Sequence, residues 1–279
     1  QAGNYAGAIA TIKTHLADDA RFHPVLLQSY YQMGNCTALE GAVNPALMHA
    51  ARTGHAPPQA DLQMVADCYA KAKDMGGYAN ALIPLVQYYP SPTYWGDVLG
   101  LMQADPAYSD RLALDFFRLK QAVGIAGTEP DYMEYAEEAA QLGLDNEAAK
   151  IMAAGKAAGV LGSGPDADRQ GRLVALIAKR EAAAAAGAAQ QIVQARAAKD
   201  DSTLFDIGFN QVEGGDSGGL ALMAEAIRSG NLTHAPQAEL EMGMAYASVG
   251  QQAYAQAMWK AVPEGSPAGK LAKLWMLVK

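Results

Sequence analysis

Aromatic side chains are scarce in this sequence, at 8% of residues, and charged ones are few, at 18%. β-Branched residues are sparse as well, so little of the chain favours strands, while abundant alanine favours helix throughout. No stretch of about 18 uninterrupted apolar residues occurs, which excludes an integral membrane segment. The most apolar helix candidates are broken by Lys179, Arg180 and Glu181, or by glycine. The 21 basic residues form no runs in a chain of net charge −8, which removes the electrostatic footprint of a nucleic-acid partner. His15, His23, His49, His55 and His234 include no pair three or four residues apart and no helix-face metal motif. Neither a metal centre nor a cofactor is expected.

Only two cysteines are present, Cys36 and Cys68, an even count that permits one disulfide without requiring it. As free thiols they would be two small buried hydrophobes. The register below puts them on the first helices of consecutive repeats. There a bond is possible only if the two residues meet at the closest approach of the helices.

What the sequence has is internal repetition at about 34 residues with helix-turn-helix patterning. The clearest unit holds Gly243, Tyr246, Gly250, Ala255, Trp259 and Pro267. Gly243 and Ala255 would let two helices approach, Gly250 would end the first helix, Trp259 would fill the space between hairpins, and Pro267 would stop the second helix. Ile207, Gly208, Gly215, Leu220 and Ala224 form another copy, and Ala136, Ala139, Gly143, Ala148 and Met152 a third. Near the start, Gly76, Tyr78, Ala81 and Leu85 follow Tyr30, Met33, Gly34, Gly41 and Ala46, while Gly3, Tyr5 and Ala8 read as the tail of one more copy. Residues 92 to 124, with Pro92, Trp95 and Pro106, read as a divergent repeat. Residues 165 to 199 read as one long helix or a long pair, with the run Ala182 to Ala186 at a close helix contact.

These motifs are similar to tetratricopeptide repeats. The resemblance implies an all-α fold, an α-solenoid of helical hairpins stacked into a right-handed superhelix over residues 1–279. Residues 1–23 would be a partial first repeat and residues 266–279 a capping helix with Leu271, Leu274, Trp275 and Val278 at helical spacing. The segments DMGGYANALIPLVQYYPSPTYW, SDRLALDFFRLKQAVG, AAGVLGSGPDA and GKLAKLWMLV resemble exported tetratricopeptide proteins of Gram-negative bacteria. That likeness implies a periplasmic location and a removed signal peptide upstream of Gln1. LVQYYPSPTYW also resembles tetratricopeptide components of TonB-type energy-transducing systems.

No set of residues reads as catalytic, so no enzyme is expected. Gly215-Asp216-Ser217-Gly218-Gly219 matches the strip around the nucleophile of trypsin-like proteases, but those enzymes need two β-barrels to assemble the remaining groups. In the repeat frame it is an inter-helix turn. Gly159 to Gly164 looks like a phosphate loop, yet no strand precedes it and no Lys-Ser/Thr pair follows, so it reads as a helix-ending loop. Glu129, Asp131, Glu134, Glu137 and Glu138 read as a solvated helix face.

In tetratricopeptide arrays the first helices line the concave face, and the resemblance carries that role to Gln28, Tyr31, Asn35, Met133, Glu137, Phe205, Phe209, Gln237 and Met244. Phe205 and Phe209 are four apart and share a helix face, either as core or as the grip of a groove on an apolar peptide. The expected function is a scaffold or adaptor that binds a protein or peptide. The alternative is an architectural or self-associating subunit of an envelope complex.

Overall fold

The protein is described by a computed structural model over residues 3–16, 19–105, 108, 112–125 and 127–278; Pro106 and Lys279 lie outside the described residues. Among the described residues every regular element is helical, so the fold is all-α. None of these helices is long and apolar enough to cross a membrane. The chain divides into two compact units, Gln1–Asp105 and Pro106–Lys279.

The first unit contains α1 (Tyr5–His15), a single 3₁₀ turn (Ala20–Phe22), α2 (His23–Gln32), α3 (Cys36–Thr53), α4 (Gln59–Lys71), α5 (Met75–Tyr88) and α6 (Pro92–Gln103). Each helix packs on its sequence neighbours, and α2 also packs on α4. The hairpins α2–α3 and α4–α5 are structural copies. Tyr30 and Tyr69 are buried in the last turns of their first helices, Asn35 and Asp74 cap the second helices, and Pro45 and Pro84 sit inside those second helices. Each proline removes one backbone hydrogen bond at the same place.

One turn design recurs in both units. A residue in the left-handed region ends the first helix, and the next residue donates its backbone N–H back five positions. Gly34 precedes the bond from Asn35 to Tyr30, Gly143 that from Leu144 to Ala139, Gly215 that from Asp216 to Gln211, and Gly250 that from Gln251 to Tyr246. Lys73 and Lys199 take the same role at φ of 58° and 55°, where a Cβ is costly.

Cys36 and Cys68 are joined by a disulfide with Cα atoms 5.5 Å apart. The register expected for Cys36 needs correction: it opens α3, the second helix of its hairpin, and not a first helix. The bond therefore ties the start of α3 to α4 of the next hairpin. Closing a loop of 32 residues restricts the unfolded chain by about 3–4 kcal/mol.

The second unit contains α7 (Ala113–Ala122), α8 (Glu129–Gln141), α9 (Asp145–Ala157), α10 (Ala167–Ala198), α11 (Asp201–Glu213), α12 (Gly219–Ser229), α13 (Ala235–Ser248), α14 (Gln252–Ala261) and α15 (Pro267–Trp275). The hairpins α8–α9, α11–α12 and α13–α14 pack in series, with α11 between α9 and α13. α11 and α12 touch backbone to backbone, because a Cβ on Gly208 or Gly219 would collide with the carbonyl of the other. The strip from Gly215 to Gly219 is the turn between them, with Asp216 Oδ1 accepting from the N–H of Gly218 at 2.9 Å. α15 covers α13 and α14, burying Leu271 and Leu274 and stacking Trp275 on Trp259 with ring centroids 5.5 Å apart.

Three expectations are corrected here. Pro267 does not stop α14, which ends at Ala261; it is the first residue of α15, where its missing N–H is harmless. Residues 92 to 124 fall across the two units, α6 in the first and α7 in the second. The run Ala182 to Ala186 lies within one 32-residue helix, α10, but not at a close contact, because most of it is exposed. α10 is tethered instead by Arg169 to Glu137 at 2.8 Å in its first turn, by Arg180 to Asp145 at 2.7 Å near its middle and by Arg196 to Glu225 at 2.7 Å in its last turn.

Two substitutions check this packing. Gly243→Leu is expected to destabilise the second unit by about 3 kcal/mol in urea denaturation, because its Cβ would enter the ring of Trp259. Lys199→Gly is expected to stabilise it by about 1 kcal/mol by relieving the left-handed backbone that closes α10.

Candidate protein-binding surfaces

In the first unit α2, α4 and α6 share a face on which polar and aromatic groups reach from helix to helix. The Tyr31 hydroxyl on α2 meets Asp67 and Lys71 on α4. Lys71 Nζ lies 2.8 Å from Asp67 Oδ2 and 4.7 Å from the centre of the Tyr31 ring. Further along α4, Gln59 and Gln63 donate to the Tyr94 hydroxyl on α6, at 3.1 and 2.6 Å. Hydrogen bonds from Lys71 and Tyr31 hold the Asp67 carboxyl below the usual carboxylate range, and the same contacts push Lys71 up to about 12. Asp67, Lys71, Gln63 and Gln28 are exposed, and the two tyrosines are half-buried. Of the residues nominated in this half, Tyr31 is on this strip, and Gln28 is exposed three positions before it on α2. Asn35 is not on the strip; its side chain accepts from the N–H of Ala38 at 3.1 Å and caps α3.

In the second unit the nominated residues are mostly inside. Phe205 and Phe209 are 3% and 2% exposed and belong to one core cluster with Met133. Met244 is buried, and Glu137 lies outside the core, 2.8 Å from Arg169 of α10. The cause is α7. Its side chains Leu114, Phe116, Phe117 and Leu119 are all buried, and Phe117 stacks on Tyr135 of α8 at 4.4 Å. Through Arg118 the helix also reaches Glu147 of α9, Phe209 of α11 and Glu241 of α13, so the ring of Phe209 is covered by the chain itself.

Arg118 anchors that helix. Its guanidinium bonds Glu147 of α9 through two nitrogens, at 2.6 and 2.7 Å, Asp115 at 2.7 Å and Glu241 of α13 at 2.9 Å. Its carbon stands 4.7 Å over the ring of Phe209. Gln237 donates to Asp115 at 2.9 Å and to Glu241 at 3.3 Å, so it is a member of this buried network. One guanidinium cannot neutralise three carboxylates away from water. Burial pushes Asp115 up, and burial together with the Asp115 charge pushes Glu241 up to about 8. The network escaped the repeat register, although LALDFFRLK, with an acid and a base three apart in an apolar helix, carried a signal of it.

Beside α7 a cavity of about 420 Å³ remains open, walled by Phe117, Ile151, Phe209, Met244 and Trp275 among others. Among the described residues no three His, Cys, Asp or Glu side chains converge as metal ligands. No family model, curated protein or solved structure matches this chain.

The buried network sets a pH dependence. A carboxyl raised in the folded state binds its proton more tightly there than in the unfolded chain, so stability falls as pH rises from the unfolded value toward the folded one. The second unit is expected to lose on the order of 2 kcal/mol between about pH 5 and about pH 8. Glu241→Gln, which cannot ionise, is expected to flatten that decline in denaturation curves taken across the range. An unchanged slope would mean that Glu241 is not the group responsible.

Proposed function

We propose that this chain is a helical-repeat protein of the tetratricopeptide type that binds a protein or peptide and has no catalytic role. The observation that carries the reading is the strip across α2, α4 and α6, where half-buried tyrosines are set among exposed polar groups. Rings held in place from a neighbouring helix lose little freedom when a partner covers them, which favours their use as anchors. Asp67 and Lys71 supply one charge of each sign, so the strip suits a peptide of mixed polarity and not a strongly charged one. The copied hairpins α2–α3 and α4–α5, with matched tyrosines, caps and prolines, favour a repeat architecture.

A periplasmic location is part of the proposal. The Cys36–Cys68 disulfide favours an oxidising compartment, since such bonds are rare where thiols are kept reduced.

Affinity capture from the native envelope, with the full chain as bait and mass spectrometry as readout, tests the role. A partner is expected that is held by the parent chain and lost at least tenfold by the Tyr31→Ala, Tyr94→Ala double variant with helical content unchanged. A partner retained by that variant would move binding off this face. The alternative role, a self-associating structural subunit, is met if light scattering returns an oligomer that the double variant leaves intact.

A further inference from the structure

Cys36 opens α3 just beyond the Gly34 turn that follows Tyr31, and Cys68 adjoins Asp67 on α4. The disulfide therefore joins the two segments that bring Tyr31 to Asp67 and Lys71. Nothing in the repeat calls for it. In the copied hairpins Met75 opens α5 as Cys36 opens α3, and Ser29 stands on α2 where Cys68 stands on α4. The bond is an addition at one junction, and the contact of Gln59 and Gln63 with Tyr94 has no covalent link beside it.

The contact that the bond flanks is weak by itself. The side chains of Asp67 and Lys71 are 50% and 65% exposed, so water competes for them and for the Tyr31 hydroxyl. Such a contact persists only where something else holds its helices at hydrogen-bonding distance. Here Cys36 and Cys68 fix the turn after α2 against the end of α4, with Cα atoms 5.5 Å apart. The fold of the unit has other support. The Tyr69 hydroxyl donates to Glu40 at 2.6 Å, and Leu39, Val43, Leu62 and Val65 are buried between the helices of these hairpins.

We infer that the Cys36–Cys68 bond is a redox gate on the strip: as a disulfide it sets Tyr31 against Asp67 and Lys71 and completes the binding face, and as two thiols it leaves that end of the face unassembled. The gate rests on the reading of the strip as a binding face. It closes by thiol–disulfide exchange, in which the two thiols give two protons and two electrons to a disulfide oxidant that leaves as two thiols. Both cysteines are buried, Cys36 at 6% and Cys68 at 3%, so the closed form resists dithiols until α3 and α4 part locally.

The full chain, carbon-13 labelled at lysine and tyrosine, reports the gate without any partner. Lys71 Nζ stands 4.7 Å from the centre of the Tyr31 ring, so the ring moves the Lys71 ε-methylene resonance upfield, and Tyr31→Ala gives its value without the ring. The parent chain is compared with the chain reduced by dithiothreitol in urea and returned to buffer, and with the Cys36→Ala, Cys68→Ala double variant. In both the Lys71 resonance is expected to move toward the Tyr31→Ala value while the Tyr94 signals and helical content hold. Oxidised glutathione is expected to restore the shift in the reduced chain. The partner lost by the Tyr31→Ala, Tyr94→Ala variant is expected to be held about fivefold more weakly by the reduced chain. A Lys71 shift that survives in the thiol forms overturns the gate and leaves the binding proposal standing. Loss of the Tyr94 signals with it also overturns the gate, because the bond would then hold the whole unit. A shift lost on reduction with the partner fully retained overturns the binding reading of the strip, and the gate with it.

Discussion

A guanidinium taken out of water must be met at once by carboxylates, and in residues 106–279 Arg118 imposes that demand on three helices. Asp115 answers from its own helix, Glu147 from α9 and Glu241 from α13. The pairing adds little net stability, because three ions and a fourth have all been desolvated. What it adds is position. α7 is otherwise an apolar helix that could slide by a turn along an apolar face, and any slide would leave Arg118 or its carboxylates buried without partners, at a cost of several kcal/mol. Burial first, and the neighbouring Asp115 charge second, make Glu241 retain a proton well above the usual carboxylate range.

The placement of α7 then decides which surfaces of the second unit remain available. Leu114 and Phe117 join the core cluster that holds Phe205 and Phe209, and Arg118 stands over the ring of Phe209, so those rings are core and not anchors. α7 does not fill the space beside them. Beyond its last turns the residues from α9, α11, α13 and α15 stand apart, and the cavity walled by Trp275 is what they leave. In the first unit the comparable strip is exposed, with polar groups crossing between helices where the second unit has rings and α7.

Small residues have two uses in this chain, and their spacing does not distinguish them. Gly208, Gly219 and Gly243 are small because a backbone or an indole ring lies where a Cβ would be. Ala182 to Ala186 are small although nothing presses on most of them; they lie in the stretch of α10 between Arg180 and Arg196, beside a groove of about 820 Å³ that α10 lines together with α11 and Asn146 of α9. Alanine there supplies helix propensity and not close packing.

By itself the sequence determined the helices and their turns. Composition argued against strands, and the glycines at 143, 215 and 250 marked where first helices end, because those turns need a left-handed residue and glycine adopts it at no steric cost; Gly34, expected inside a first helix that ran on through Cys36, proved to be such an end as well. Lys73 and Lys199 were not legible as the same turns, since a lysine in that conformation has no signature in the letters. Local spacing also brought Gly243 to Trp259, both within one hairpin. Only the tertiary structure decided which faces are covered. Arg118 finds Glu241 from 123 positions away, and nothing in a short-range period can register a contact of that reach. The same holds for the division after Asp105, for Phe205 and Phe209 becoming core, and for the indole of Trp275 being buried without an acceptor while that of Trp259 has one. Each depends on where a distant helix comes to rest, which follows from the burial of many side chains at once and not from the pattern within any one segment.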